Sequence, residues 1–185
     1  MKTNILIISV LMIAVLVSSA CTTNRSYDSP EPLETPEYED TTTSPPAIET
    51  FNIGETATNG ELSITINSIR YSEEIDEQGN EFLVAVAKEG KKYVIIDLTI
   101  ENLQNDKTHP ISSILQFQLT DDEGYSYDLD FMALTSLDKG FKGDGDLLPG
   151  MKTRGEVPFE VPEDVTGLKF MFLFEIGGTT AVYEL

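Results

Sequence analysis

Beyond residue 50 the chain alternates apolar and polar side chains with a period of two. Leu62, Ile64 and Ile66 alternate with Ser63, Thr65 and Asn67. Phe82, Val84 and Val86 repeat the pattern, and Val94, Ile96, Leu98 and Ile100 share a face opposite Asp97, Thr99 and Glu101. Leu115, Phe117 and Leu119 oppose Gln116, Gln118 and Thr120, while Val157, Phe159 and Val161 oppose Glu156, Pro158 and Glu160. The strongest stripe is Leu168, Phe170, Phe172, Phe174 and Ile176, with Met171 and Leu173 on the other face. Successive side chains of a strand point to opposite sides, so this pattern specifies half-buried sheet.

The interruptions are as informative. The phase slips at Asn67-Ser68, after which Ile69 and Tyr71 continue one residue out of register; that predicts a bulge. Glu89-Gly90, Asp121 to Gly124 (leading into Tyr125 to Asp130) and Gly177-Gly178 carry turn chemistry between runs. Pro158 cannot donate to a ladder, so its strand lies at an edge or that position faces outward. No segment after residue 50 has a long helical period. Several short strands joined by turns give an all-β fold, an antiparallel β-sandwich over residues 51–185. A domain of this length closes a core without disulfides, as it must, because the only cysteine is Cys21.

The N-terminus reads as a targeting segment. Lys2 is followed by an uncharged, mostly apolar run from Ile5 to Val17, shorter than the roughly 20 apolar residues of a spanning helix. Small residues Ser18-Ser19-Ala20 lead to Cys21. A cysteine in this place resembles the cleavage motif of lipoproteins, although Ser18 stands where that motif usually has an aliphatic residue. The resemblance implies a signal peptide at 1–20, diacylation of the Cys21 thiol, and an extracytoplasmic protein anchored to the cell membrane by its N-terminus. Ordinary cleavage after Ala20 and an uncleaved anchor are the alternatives.

Residues 21–50 combine this cysteine with a linker. Pro30, Pro32, Pro36, Pro45 and Pro46 lie there, out of nine prolines in the chain, among acidic residues and threonines. Such a composition buries too little apolar surface to offset its ordering entropy, which predicts disorder. It is either a spacer that lifts the domain off the membrane or an unselected leader. Asn24-Arg25-Ser26 is a glycosylation sequon, a short motif that is frequent by chance.

Charge removes whole function classes. The net charge is −20, with 32 Asp and Glu against 12 Lys and Arg. Phosphate backbones repel such a chain, so nucleic acid is not expected as a partner. Anionic lipid repels it too, which leaves a lipid or apolar anchor as the route to a membrane.

Catalytic constellations are missing. His109, before Pro110, is the only histidine and reads as a loop residue. With Cys21 outside the domain, neither a serine or cysteine triad nor a blue-copper site is expected. Asp138, Asp144 and Asp146, in the glycine-rich stretch Asp138 to Asp146, are candidate calcium ligands. Their spacing is not that of an EF-hand, and Lys139 and Lys142 intervene, which favours a solvated acidic loop. Glu73, Glu74, Asp76 and Glu77 form an acidic cluster in an expected hairpin loop, again read as solvated. Met171 and Leu173 either lie under a covering segment or form an exposed apolar patch.

Three stretches carry a family resemblance: Phe51 to Ala57 (FNIGETA), Lys92 to Asn102 (KYVIIDLTIEN) and Leu148 to Pro162 (LPGMKTRGEVPFEVP). Together they resemble a family of extracytoplasmic domains of unknown function, described as telokin-like or immunoglobulin-like, found in bacterial and archaeal surface lipoproteins. The resemblance implies an immunoglobulin-like sandwich and no activity. In it Pro149-Gly150 sets a turn before an edge strand, and Asn102 can take a left-handed conformation as its strand ends. The expected function is a membrane-anchored, non-enzymatic module with no cofactor, meeting a surface protein, polymer or ligand. A structural envelope lipoprotein without a ligand and a calcium-binding surface module are the alternatives. A hydrolase with acidic loop residues is a third, weaker class.

Overall fold

The runs with the longest apolar stripes become the longest strands. The computed structural model describes residues 49–175 and 178–185. The signal segment, Cys21, the Asn24 sequon, the linker up to Ile48, and Ile176 and Gly177 lie outside the described residues.

In chain order, the strands are β1 (Thr50–Phe51), β2 (Thr56–Thr58), β3 (Leu62–Ser72), β4 (Glu74–Ile75), β5 (Ala85–Val86) and β6 (Lys91–Asn102). They continue with β7 (His109–Ile111), β8 (Phe117–Thr120), β9 (Ser126–Tyr127) and β10 (Gly145–Leu147). The last three are β11 (Lys152–Pro162), β12 (Lys169–Leu173) and β13 (Thr180–Glu184). Two short helices, α1 (Ser113–Gln116) and α2 (Phe131–Ser136), and a 3-10 turn at Glu81–Leu83 complete the described elements. No described helix is long and apolar enough to cross a membrane.

Two sheets carry the fold. One has the order β11-β6-β3-β2 and is antiparallel throughout. The other has the order β1-β13-β12-β8-β9, with only β1–β13 parallel. Ile64, Ile96, Leu98, Ile100 and Phe159 from the first sheet meet Phe117, Leu119, Phe170, Phe172 and Tyr183 from the second in one buried core. The described residues form an all-β sandwich, as their alternation predicts.

Local expectations are met where the pattern is long. The register of β3 on β6 shifts between Ile66 and Ser68. Asn67 is the extra residue, and its Nδ2 donates to Asp97 Oδ1 at 3.1 Å and Thr99 Oγ1 at 3.0 Å. Pro158 lies on β11, the edge strand of its sheet. That edge is partly covered, because the Pro158 carbonyl accepts from Asp130 N–H and Gly140 bridges Glu156.

The outer face of β6 departs from the expected polar surface. Tyr93 and Ile95 are buried there with Ile75, Ala133 and Leu137 in a second, smaller core. The excursion between β3 and β6 and helix α2 supply the cover. The uninterrupted apolar run Tyr93 to Ile96 is the sequence mark of a strand covered on both faces. Met171 and Leu173 are half-buried, neither fully covered nor a fully open patch.

Two expected strands are corrected. Phe82 does not alternate into a core; it sits in the 3-10 turn, 84% exposed, and only Ala85–Val86 form a strand there. Asn80 causes this, since its side chain accepts from Phe82 N–H and its carbonyl from Leu83 N–H. Leu115 does not share the face of Phe117 and Leu119, because it lies in α1 and is 57% exposed. The Asp144 carboxylate accepts from both Ser113 N–H and Ser113 Oγ, which fixes a helical turn ahead of β8.

Candidate functional site

Asn102 organises one end of the sandwich. It closes β6, is fully buried, and donates through Nδ2 to the carbonyls of Lys107 and Leu147 at 2.8 and 2.9 Å. Its Oδ1 accepts from Gln104 N–H at 3.0 Å. The expected Pro149-Gly150 turn lies alongside. Gly150 has φ +68°, which a residue with a Cβ adopts only at a cost, and its N–H donates to the carbonyls of Asn102 and Gln104. These bonds hold the segment that carries Lys107 into β7, where His109 pairs with Leu147 of β10.

Gln116 fixes the opposite wall. It is buried, accepts from Ser112 N–H and donates to the Leu173 carbonyl, which ties α1 to the end of β12. Between these supports lies a cleft of about 370 Å³. Pro110, Leu115 and Phe174 give it an apolar lining, and Glu61, Lys107, His109 and Glu175 stand around it. A mostly apolar concavity with a few convergent polar groups is the usual form of a ligand site.

The polar groups form a chain. Lys107 Nζ lies 2.6 Å from Glu61 Oε2, and His109 Nε2 lies 3.3 Å from the same oxygen. The hydrogen bond from Lys107 holds the Glu61 carboxyl below its usual range, against a smaller opposing effect of burial. His109 corrects a sequence expectation: it is a buried strand residue, not a loop residue. Its Nε2 is close enough to Glu61 to pair with it when charged, but not aligned for a hydrogen bond, and it has no hydrogen-bond partner among the described residues.

A family model described as "Domain of unknown function (DUF4352)" matches residues 51–181. The chain belongs to this family. The DUF4352 domain also resembles solved structures. One is an uncharacterized β-sandwich protein from Clostridium difficile 630, 23% identical, with a TM-score of 0.50, covering 75% of this chain and 94% of that one. Another is the yjhA protein from Bacillus subtilis, 21% identical, TM-score 0.53, covering 72% and 98%. A conserved hypothetical protein from Bacillus anthracis is 13% identical, TM-score 0.52, covering 66% and 88%. At these identities the likeness concerns the fold alone. A search of the curated proteins gives no match.

The DUF4352 domain does not assemble the calcium candidates. Asp144 is engaged with Ser113, Asp146 lies in β10, and Asp138 follows α2, its N–H donating to Glu77 Oε2. Phe141 anchors the intervening loop in the main core. Among the described residues no group of three or more His, Cys, Asp or Glu is arranged to hold a metal ion. The acidic cluster is also dispersed: Glu77 pairs with Arg70, while Glu74 lies in β4.

Two features of the DUF4352 domain escaped the sequence reading. The cleft joins residues from β7, α1 and the end of β12, which no local pattern connects. A patch of exposed apolar side chains, Phe82, Val86, Phe131 and Met132, sits where α2 packs beside the excursion. The high apolar content of Phe131-Met132 after an acidic stretch was its only visible signal.

Proposed function

We propose that this chain is an extracytoplasmic binding protein, tethered to the cell membrane through diacylated Cys21 and spaced from it by residues 22–50. Its DUF4352 domain takes a ligand in the cleft beside Asn102 and catalyses no reaction on it. The observation that carries this reading is the cleft itself, an apolar recess with one buried imidazole nitrogen that has no hydrogen-bond partner among the described residues. Buried polar atoms without partners are rare in folded proteins, and a bound ligand is one way such an atom is satisfied. Among the described residues no hydroxyl is hydrogen-bonded to His109 Nε2, which supports reading the cleft as a binding site rather than a catalytic one.

The binding half is tested by thermal unfolding against a panel of small amphipathic molecules. A saturable rise in Tm is expected, and it disappears in Leu115→Asp, which puts a charge on an exposed wall. If no member of the panel shifts the wild-type Tm, the accessory envelope role without a ligand becomes the better reading. The anchoring half is tested by fractionating cells that express the chain. Wild type is expected in the membrane fraction and Cys21→Ala in the medium or soluble fraction. Retention of Cys21→Ala in membranes would point to an uncleaved anchor.

A second reading has its own observation. The patch of Phe82, Val86, Phe131 and Met132 gathers four exposed large apolar side chains, a concentration that favours a macromolecular partner. Alanine replacements at Phe82 and Met132, both outside the cores, should abolish binding to such a partner without lowering Tm.

A further inference from the structure

At the cleft mouth, two groups lie near Glu61 Oε2: Lys107 Nζ donates to it at 2.6 Å, and His109 Nε2 stands 3.3 Å away without a hydrogen bond. They differ in how firmly they are held. The Lys107 side chain is 56% exposed, so its ammonium is a solvated charge on a long, free stem, and such pairs add little to stability. The His109 side chain is nine-tenths buried and held in β7 by its pairing to β10. Its Nε2 is withdrawn from water with no hydrogen-bond partner among the described residues, which carries a desolvation cost.

The arrangement is that of an ammonium seat occupied by the chain's own lysine. A cation rests on a carboxylate, next to an imidazole nitrogen able to accept a hydrogen bond, at the rim of an apolar recess. We infer that the cleft binds an organic ammonium ligand, a primary amine on an aliphatic or aromatic body, whose head displaces Lys107 from Glu61 and whose body lies against Leu115 and Phe174. This rests on the reading of the cleft as a ligand site.

Three observations favour a cation over an anion. Glu175 is a second acidic residue in the cleft lining. The whole chain carries −20, and a field of that sign raises the local concentration of cations and repels anions. An anion would have to displace the Glu61 side chain, which is shorter and less exposed than that of Lys107 (43% against 56%) and grows from a backbone held at both ends by Asn59 Oδ1 and Leu103 N–H. A cation displaces only the tip of Lys107. In the bound state the ammonium has three donors, enough for Glu61 and for His109 Nε2 as an acceptor.

The test is titration calorimetry of the full chain with three probes that share one apolar body: 2-phenylethylammonium, 2-phenylethanol and 3-phenylpropionate. The ammonium is expected to bind at least about tenfold more tightly than either of the others, as a charge-assisted pair in a partly desolvated site allows. Lys107→Met, which removes the competing cation, should tighten ammonium binding by about three- to tenfold, and Glu61→Gln should weaken it by about tenfold or more. Both positions are exposed enough for these variants to fold. Equal or tighter binding of the alcohol or the carboxylate overturns the ammonium assignment and leaves the cleft as a ligand site. Weaker ammonium binding in Lys107→Met overturns it as well, because the lysine would then be part of the receptor. No binding of any probe overturns both readings.

Discussion

The Tyr183 hydroxyl reaches from β13 across the sandwich and donates a hydrogen bond to the Ile64 carbonyl of the opposite sheet at 2.7 Å. The same oxygen accepts from Ala57 N–H at 3.1 Å, so one side chain joins β13, β2 and β3. Its ring is fully buried beside Phe51. Tyr183→Phe keeps the packing and removes both hydrogen bonds, for an expected loss of about 1–3 kcal/mol in urea unfolding. Burial pushes the phenol from 10.0 up to about 12. The raised folded value means its contribution is intact below pH 10 and is lost as pH rises toward 12, because only the unfolded phenol ionises in that window. The stability gap between wild type and Tyr183→Phe should therefore narrow across it; a constant gap would show that the hydroxyl is not held as described.

Phe172 sits at the centre of the strongest stripe. It is fully buried, with ring centroids 5.9 Å from Phe117 and 5.1 Å from Phe174. Phe172→Ala should cost about 3–5 kcal/mol, the range for truncating a large buried aromatic. A loss below about 1 kcal/mol in denaturant titration would contradict its place between the sheets.

Glu160 makes the fold acid-sensitive in a defined range. Burial by itself would raise its pKa, but hydrogen bonds from Lys88 Nζ and Lys88 N–H, and then from Lys91 Nζ, outweigh that and bring it from 4.5 to about 2. The folded carboxyl binds fewer protons than the unfolded one between these values, so its contribution is present above pH 4.5 and fades as pH falls toward 2. Unfolding midpoints should show Glu160→Gln less stable than wild type at pH 6, with the difference closing as pH drops below 4.5. Parallel curves for the two proteins would remove Glu160 from the account.

Asn102 is expected to govern both the fold of its end and the cleft. Asn102→Ala leaves the Lys107 and Leu147 carbonyls and the Gln104 N–H without their partner, each costing about 1–3 kcal/mol if it stays buried. Some of this is recovered by water entering, which should appear as faster amide exchange through residues 103–111. Asn102→Asp keeps the acceptor for Gln104 and loses both donated bonds, so it should behave nearly as badly. Unchanged exchange in Asn102→Ala would show that the Pro149-Gly150 turn suffices to hold that segment.

The sequence by itself determined the fold class, the core-facing side of the long strands, the bulge at Asn67 and the turns at Gly90 and Gly150, and it narrowed β11 to an edge strand or one with Pro158 facing outward. These are local consequences of period-two alternation, proline chemistry and glycine's freedom at positive φ, and each is written within a few consecutive residues. Tertiary structure decided the rest. Phe82 and Leu115 sit in apolar, alternating contexts, yet side-chain acceptors on Asn80 and Asp144 turn their backbones aside. His109 is buried because β10, more than thirty residues later in the chain, pairs with it. Glu61, Lys107, His109 and Phe174 share one cleft only because Asn102 and Gln116 fix separate segments at the same end of the sandwich. Contacts of that kind depend on which strands meet, and alternation fixes which face a side chain takes without fixing its neighbours.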